Sequence, residues 1–246
     1  GDWREDAARR DFTINAMSLG PDGSLFDYFG GRADLAAGLV RFVGDPDTRL
    51  AEDYLRALRF FRFQARYGRG VPDPAAIAAI RRAVPGLGRL SAERVWMELK
   101  RVLSVPDPLA ALALMAETGV LPAPAVLPEA AGDARLARLV SIGAPADPLL
   151  RLVALLDRDD PGALMRAIRQ AARRLKLSGQ EKEMVEALAA PLAIGAAPNR
   201  FGVSPRQEAS ALRRLLAQLD RTWRGLDPRE VLLRRSWLAQ ALPPGQ

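Results

Sequence analysis

Apolar and polar positions change period once along this 246-residue chain, and the change separates two kinds of structure. From Asp11 the residues alternate: Phe12, Ile14, Ala16 and Met17 against Asp11, Thr13 and Asn15. A period of two predicts a strand over 12–19 with one packed face and one face free for chemistry. A second apolar run, Leu25 to Phe29, follows Pro21-Asp22-Gly23-Ser24, a turn composition, so the two runs read as a hairpin. Leu39 to Val43 reads as a third short strand, closed by Gly44-Asp45-Pro46. Two or three strands are marginal alone, which implies more of the sheet upstream.

From about Thr48 the pattern is helical. Proline and glycine clusters interrupt it near 68–74, 85–90, 106–108, 122–128, 143–148, 161–162, 191–205 and 226–228. The intervals are uneven, so no fixed repeat is present. In the first of these helices Tyr54, Leu58, Phe61 and Ala65 share one side and predict its buried face. Glu52, Asp53 and Arg56 share another side, continued by Arg59, Arg62 and Arg66. Phe60 and Phe63 lie beside that acid–arginine face, so it should cover something. Leu149 to Leu156 reads as a buried helix. The expected class is α+β, mostly α: a sheet remnant followed by an elongated array of helices.

Composition narrows the chemistry. Hydrophobic residues make up 49% and charged residues 26%, and no apolar run reaches the ~18 residues that span a bilayer. The chain has no Cys and no His. Disulfides, thiolate or imidazole metal sites, cysteine nucleophiles and histidine bases are therefore excluded. Carboxylates, Lys, Arg, hydroxyls and oxygen-held cations remain. The net charge of +7 suits a polyanionic partner, although arginine also decorates solvated helices. Gly1-Asp2-Trp3-Arg4 is neither an initiator Met nor a signal peptide. A cytoplasmic protein without membrane contact, beginning inside a longer product, is the expectation.

Three strings in order carry a family resemblance: Arg9-Arg10-Asp11-Phe12-Thr13-Ile14-Asn15-Ala16-Met17, then Asp27-Tyr28-Phe29-Gly30-Gly31-Arg32-Ala33-Asp34-Leu35, then Glu52-Asp53-Tyr54-Leu55-Arg56. Each is a weak signal alone; together, within about sixty residues, they are specific. The set resembles the nucleotide-binding half of class II tRNA nucleotidyltransferases (CCA-adding enzymes) and bacterial poly(A) polymerases. Ser91-Ala92-Glu93-Arg94-Val95-Trp96-Met97-Glu98-Leu99-Lys100 resembles the family's neck helix, with Ser91 as its cap and Arg94 and Lys100 as possible phosphate contacts.

The resemblance implies a head over 1–47, a neck with the base template over 48–105, a helical body over 106–190 and a tail over 191–246. It implies nucleotide contacts from Arg10, Asp11, Asn15, Asp53, Arg56 and Arg59, supported by Glu52 and Arg9, with a hinge at Gly30 and Gly31. Asp11 would orient Arg10. In that family the Asp and Arg of the third string template the incoming base. A carboxylate accepts from the exocyclic amine of cytosine or adenine, and a guanidinium donates to the ring nitrogen beside it. Guanine and uracil present a carbonyl there and would face Asp53 acceptor to acceptor.

The implied activity is addition of C and A to tRNA 3′ ends, with CTP, ATP and tRNA as partners. The family's Asp-x-Asp for Mg²⁺ would lie upstream of this chain, so no metal ligands are assigned within it and the chain alone should turn over little. Asp45-Pro46-Asp47 and Asp157-Arg158-Asp159 have that spacing in the wrong setting. The rivals are a poly(A) polymerase, an enzyme adding only A or only CC, and, from another class, a non-catalytic RNA-binding helical protein. Basic residues later in the chain, among them Arg166, Arg169, Arg174, Arg214, Arg234 and Arg235, are candidate tRNA phosphate contacts, and Trp223 and Trp237 are expected in the core.

Overall fold

The computed structural model describes residues 2–190, 213, 217, 221–222 and 225–242. Much of the predicted tail, with Arg214 and Trp223, lies outside the described residues. The chain forms two compact units, Gly1–Pro128 and Glu129–Gln246.

The first unit opens with α1 (Trp3–Ala8), a 3-10 turn (Thr13–Asn15), β1 (Ser18–Leu19) and β2 (Leu25–Phe26). The helices α2 (Gly31–Ala37), α3 (Pro46–Glu52), α4 (Leu55–Tyr67) and α5 (Pro74–Ala83) follow. A second 3-10 segment (Val84–Arg89) leads into α6 (Ala92–Leu103) and α7 (Leu109–Glu117). The second unit is helical: α8 (Ala134–Ser141), α9 (Pro148–Leu155), α10 (Pro161–Arg174), α11 (Gly179–Ala189) and α12 (Pro228–Gln240).

Many helix starts share one device. Asp45, Asp73, Asp147, Asp160 and Asp227 each cap a helix whose first residue is proline, and each carboxylate accepts a first-turn amide. Proline loses nothing at that position, and the aspartate satisfies an otherwise orphaned donor.

The mostly helical class holds, but three predicted elements are replaced. The strand over 12–19 is broken. Phe12 makes only a single antiparallel bridge, to Phe42, which is also all that remains of the strand predicted over 39–43. The chain then turns through Thr13–Asn15 and resumes as β1, where Ser18 pairs with Phe26 and Leu19 with Leu25. Side chains explain the break: Asn15 Oδ1 accepts the Phe12 amide at 3.0 Å, and the Thr13 hydroxyl donates to Asp34. Short polar side chains bound to nearby groups compete with a ladder.

The single helix predicted from Thr48 is likewise two. Asp53 is extended (φ −156°, ψ 107°), and its Oδ1 accepts the Leu55 amide at 3.0 Å, ending α3 and starting α4. At α6 the cap residue is Ser91, as expected, but its side chain makes no capping hydrogen bond.

Packing of α4 fixes the geometry around it. Leu58 and Phe61 are buried as the period predicts, while Tyr54 and Ala65 are half-buried. Phe60 and Phe63 are buried too, against the Phe12–Phe42 bridge: ring centroids lie 4.9 Å apart for Phe12–Phe63 and 6.0 Å for Phe42–Phe60. Aromatic pairs of this kind contribute about 0.5–1.5 kcal/mol each beyond area burial. The acid–arginine face does cover something, and this cluster clamps the Arg9–Met17 string onto α4. The other side of α4 rests on α6 and α7.

Candidate functional site

The clamp brings the first and third strings together. Asp11 is buried, and both of its oxygens are used: Arg56 Nε donates to Oδ1 at 3.0 Å, and Arg59 brings Nε and Nη2 to Oδ2. Arg56 also donates through Nη1 to the Arg49 carbonyl at 2.8 Å and to Glu52. Glu52 takes Arg49 as well, at 2.6 Å, and Arg49 Nη2 reaches back to the carbonyls of Arg9 and Arg10 at 2.9 and 2.7 Å. Desolvation acts to lower the Arg56 pKa, but its hydrogen bonds to Glu52 and Asp11 win and hold it above its ordinary value.

Nε and Nη1 of Arg56 are thus fixed by Asp11, Glu52 and the α3 C-terminus. Its Nη2 has no partner among the described residues and can donate.

Asp53 stands apart from Arg56, contrary to the shared face read from the sequence. Its Oδ2 accepts from Arg94 Nη2 of α6 at 2.7 Å, and its side chain keeps 34% exposure. Burial acts to raise its pKa, but the Arg94 hydrogen bond, the Leu55 amide and the charges of Arg94 and Arg56 hold the carboxyl below the usual range. A carboxylate offers about four lone-pair sites; two are taken here and the rest remain for an outside donor. An oriented acceptor and an oriented donor are therefore three residues apart in the chain.

The remaining predicted residues fall into different places. Arg10 pairs with Asp6 at 2.9 Å on the surface rather than with Asp11. The Arg9 side chain is exposed and without an ion pair among the described residues. Asn15 has its side-chain oxygen on the Phe12 amide.

Gly30 has φ 76°, a left-handed conformation suited to glycine, while Gly31 is needed for closeness: a Cβ there would run into the Thr13 carbonyl. Asp27 accepts the Gly31 and Arg32 amides at 2.8 and 2.9 Å and so starts α2. Arg49 and the Arg94–Asp53 pairing were missed in the sequence. The signal for Arg49 was its i,i+3 spacing to Glu52; nothing in the sequence pointed Arg94 at Asp53.

Several basic candidates of the second unit are engaged internally. Arg174 pairs with Glu129 and Arg234 with Asp147, both at 2.7 Å. Arg235 donates to the carbonyls of Ala187 and Ala190 at the end of α11, at 2.6 and 2.9 Å; burial pushes its guanidinium down to about 10. Trp237 is half-buried.

Among the described residues no group of three or more carboxylates is arranged to hold a metal ion. Asp45 caps α3, Asp47 pairs with Arg82 at 2.8 Å and Asp157 pairs with Arg135 at 2.5 Å. The described carboxylates do not form a Mg²⁺ site. No described helix is long and apolar enough to cross a membrane.

Two family models and several known proteins match parts of this chain. Residues 1–41 match the family model described as the poly A polymerase head domain, and residues 72–132 the one described as a probable RNA and SrmB-binding site of polymerase A. A human protein named CCA tRNA nucleotidyltransferase 1, mitochondrial, is 53% identical over 107 residues, 42% of this chain and 24% of its own. The CCA-adding enzyme of Geobacillus stearothermophilus is 38% identical over 137 residues, 56% of this chain and 33% of its own.

The structure of a Bacillus stearothermophilus CCA-adding enzyme in complex with CTP superposes with a TM-score of 0.61 at 26% identity, over 98% of this chain and 59% of that one. A Thermotoga maritima CCA-adding enzyme complexed with tRNA gives 0.60 at 22% identity, over 98% and 57%. Residues 1–41 thus resemble a polymerase A head, and the fold resembles that of solved CCA-adding enzymes. Over these segments the chain is similar to polymerase A proteins and to CCA-adding enzymes. It spans about a quarter to a third of the length of the curated relatives it matches.

Proposed function

We propose that this chain carries the base-selecting part of a template-independent RNA nucleotidyltransferase that adds C and A to tRNA 3′ ends. The supporting observation is the pairing of a fixed acceptor, Asp53, with a fixed donor, Arg56, each held by other residues rather than by the other. Asp53 accepts from the exocyclic amine of CTP or ATP and Arg56 Nη2 donates to the adjacent ring nitrogen. Against GTP or UTP the carboxylate meets a carbonyl, and an unpaired, desolvated acceptor pair disfavours binding. One site then accepts both C and A with no nucleic-acid template.

Asp11 keeps Arg56 and Arg59 in place, Glu52 holds Arg56 from the other side, and the exposed Arg9 and Arg10 face the triphosphate or the RNA end. Asn15 shapes the pocket wall through the turn it caps, and Gly30-Gly31 join head to neck. Head 1–47, neck 48–105, body 106–190 and tail 191–246 remain our division of labour.

A divalent ion such as Mg²⁺ would stabilise the transferring phosphate, with ligands from outside the described carboxylates. A cytoplasmic location is part of this reading, although the human relative's name includes the word mitochondrial. The high identity to CCA-adding enzymes favours CCA addition over poly(A) synthesis.

Calorimetric titration of the chain with CTP, ATP, GTP and UTP in Mg²⁺ buffer tests the reading. Selective binding of CTP and ATP is expected. Equal, salt-sensitive binding of all four would reduce the site to phosphate attraction and favour an RNA-binding module.

A further inference from the structure

At the end of α4 away from Asp53 lies a groove of about 790 Å³ that the base-selecting site does not use. The helical rise of 1.5 Å per residue puts Arg66 about 15 Å along α4 from Arg56. Three guanidiniums line the groove, Arg62, Arg66 and Arg101, against one carboxylate, Asp107.

They are held differently. Arg62 Nε donates to the buried Glu98 at 2.6 Å, and Arg101 reaches the other oxygen of Glu98 at 3.3 Å while staying half exposed. Glu98 thus fixes the floor and leaves Arg101 with donors facing outward. Arg66 is exposed and pairs with no carboxylate among the described residues. Asp107 has Oδ1 on the Leu109 amide at 3.0 Å, which ties it to the start of α7.

Aromatic rings alternate with these cations. The Arg62 guanidinium lies 4.7 Å from the ring centroid of the buried Phe63, and that of Arg66 lies 5.4 Å from the ring of Tyr67, a residue that is 37% exposed. A positively charged groove interleaved with aromatic and guanidinium planes is the surface on which single-stranded nucleic acid stacks its bases while its phosphates meet arginine. An acidic peptide would use the charges but would have no need of the exposed ring.

We propose that this groove is a second nucleic-acid contact, in which one phosphate of single-stranded RNA sits between Arg66 and Arg101 and an adjacent base stacks on Tyr67. This deepens the proposed function by adding an RNA site distinct from the nucleotide site, and rests on that reading only for the identity of the polyanion.

Binding of a fluorescently labelled single-stranded oligoribonucleotide to the full chain, measured by anisotropy at several salt concentrations, tests it. Arg66→Ala removes an exposed side chain with no ion pair among the described residues, whereas Tyr67→Ala also removes a ring 5.8 Å from that of Phe63, so thermal unfolding of both variants is compared with the parent. Each is expected to weaken RNA binding about five- to tenfold. Arg66→Ala should also reduce the slope of log affinity against log salt by about 0.7, the value for one phosphate on a single strand. CTP binding should be unchanged in both. Unaltered RNA affinity and slope in both variants, or no RNA binding by the parent chain, overturns the groove.

Loss of affinity in Arg66→Ala with none in Tyr67→Ala would assign an ion site with no base stacked on the ring and overturn the RNA contact. An acidic peptide competing equally in parent and Tyr67→Ala would do so in favour of a protein partner. Arg56→Ala separates the two readings: it should abolish CTP selectivity and leave the RNA slope intact. If CTP selectivity is absent from the parent while Arg66-dependent RNA binding persists, the function reading fails and the groove stands.

Discussion

Asp11→Asn is the sharpest perturbation of the network beneath the proposed base template. The side chains involved are well covered: Asp11 is 11% exposed, Arg56 14% and Arg59 31%. Asparagine keeps the shape but has one carbonyl oxygen and one amide group, so it can satisfy only one arginine and turns a donor toward the other. Removing one partner of a fully buried ion pair costs about 3–5 kcal/mol. The partial exposure of Arg59 lets water recover some of this, so about 2–3 kcal/mol is expected.

In a unit of this size that lowers the midpoint of thermal unfolding by about 6–12 °C. Urea unfolding followed by tryptophan fluorescence measures it, together with a double-mutant cycle against Arg59→Ala. A coupling of at least about 1 kcal/mol is predicted, since contacting residues are not additive. CTP affinity should fall more than stability alone explains, because Arg56 loses the bond that aims it. A change below about 0.5 kcal/mol with no coupling would show that Asp11 is not the anchor, and the link between the first and third strings would then be packing alone.

Gly31→Ala places a methyl against the Thr13 carbonyl and should cost about 1–3 kcal/mol by overpacking, read from the urea midpoint; Gly30→Ala would be strained instead by its φ of 76°. Glu98→Gln leaves the arginines at the floor of the groove short of an acceptor and should destabilise the first unit by about 2 kcal/mol, since Arg62 is 23% and Arg101 51% exposed and water offsets part of the loss.

The carboxyl of Asp53 is held below the usual range, so its contribution is present above the unfolded value and is lost as pH falls through the folded one. Preference for CTP over UTP should therefore persist unchanged at pH 5, and a collapse already at that pH would contradict the Arg94 assignment.

The period of the chain made much of this legible. The helical stretch, its proline and glycine breaks and part of the buried side of α4, Leu58 and Phe61, follow from spacing and composition. What escaped notice depends on single side chains that capture backbone. Phe12 to Leu19 alternates like a strand, yet Asn15 and Thr13 bind local partners and fold a turn into it. Glu52 to Arg56 has helical spacing, yet Asp53 caps the next helix and breaks the first, so the carboxylate turns to Arg94. Asp11 meets Arg56 and Arg59 of α4 across 45 and 48 residues of chain, a contact that no local period encodes and that the packing of Phe12 on Phe60 and Phe63 brings about.

The most direct test of base selection compares the parent chain with Asp53→Asn by the ratio of CTP to UTP dissociation constants. The account predicts at least about a tenfold preference for CTP in the parent, worth about 1.4 kcal/mol. In Asp53→Asn the amide offers a donor as well as an acceptor, and the ratio should move toward one. The same ratio in both proteins, whether large or near one, would contradict Asp53 as the group that tells C and A from G and U.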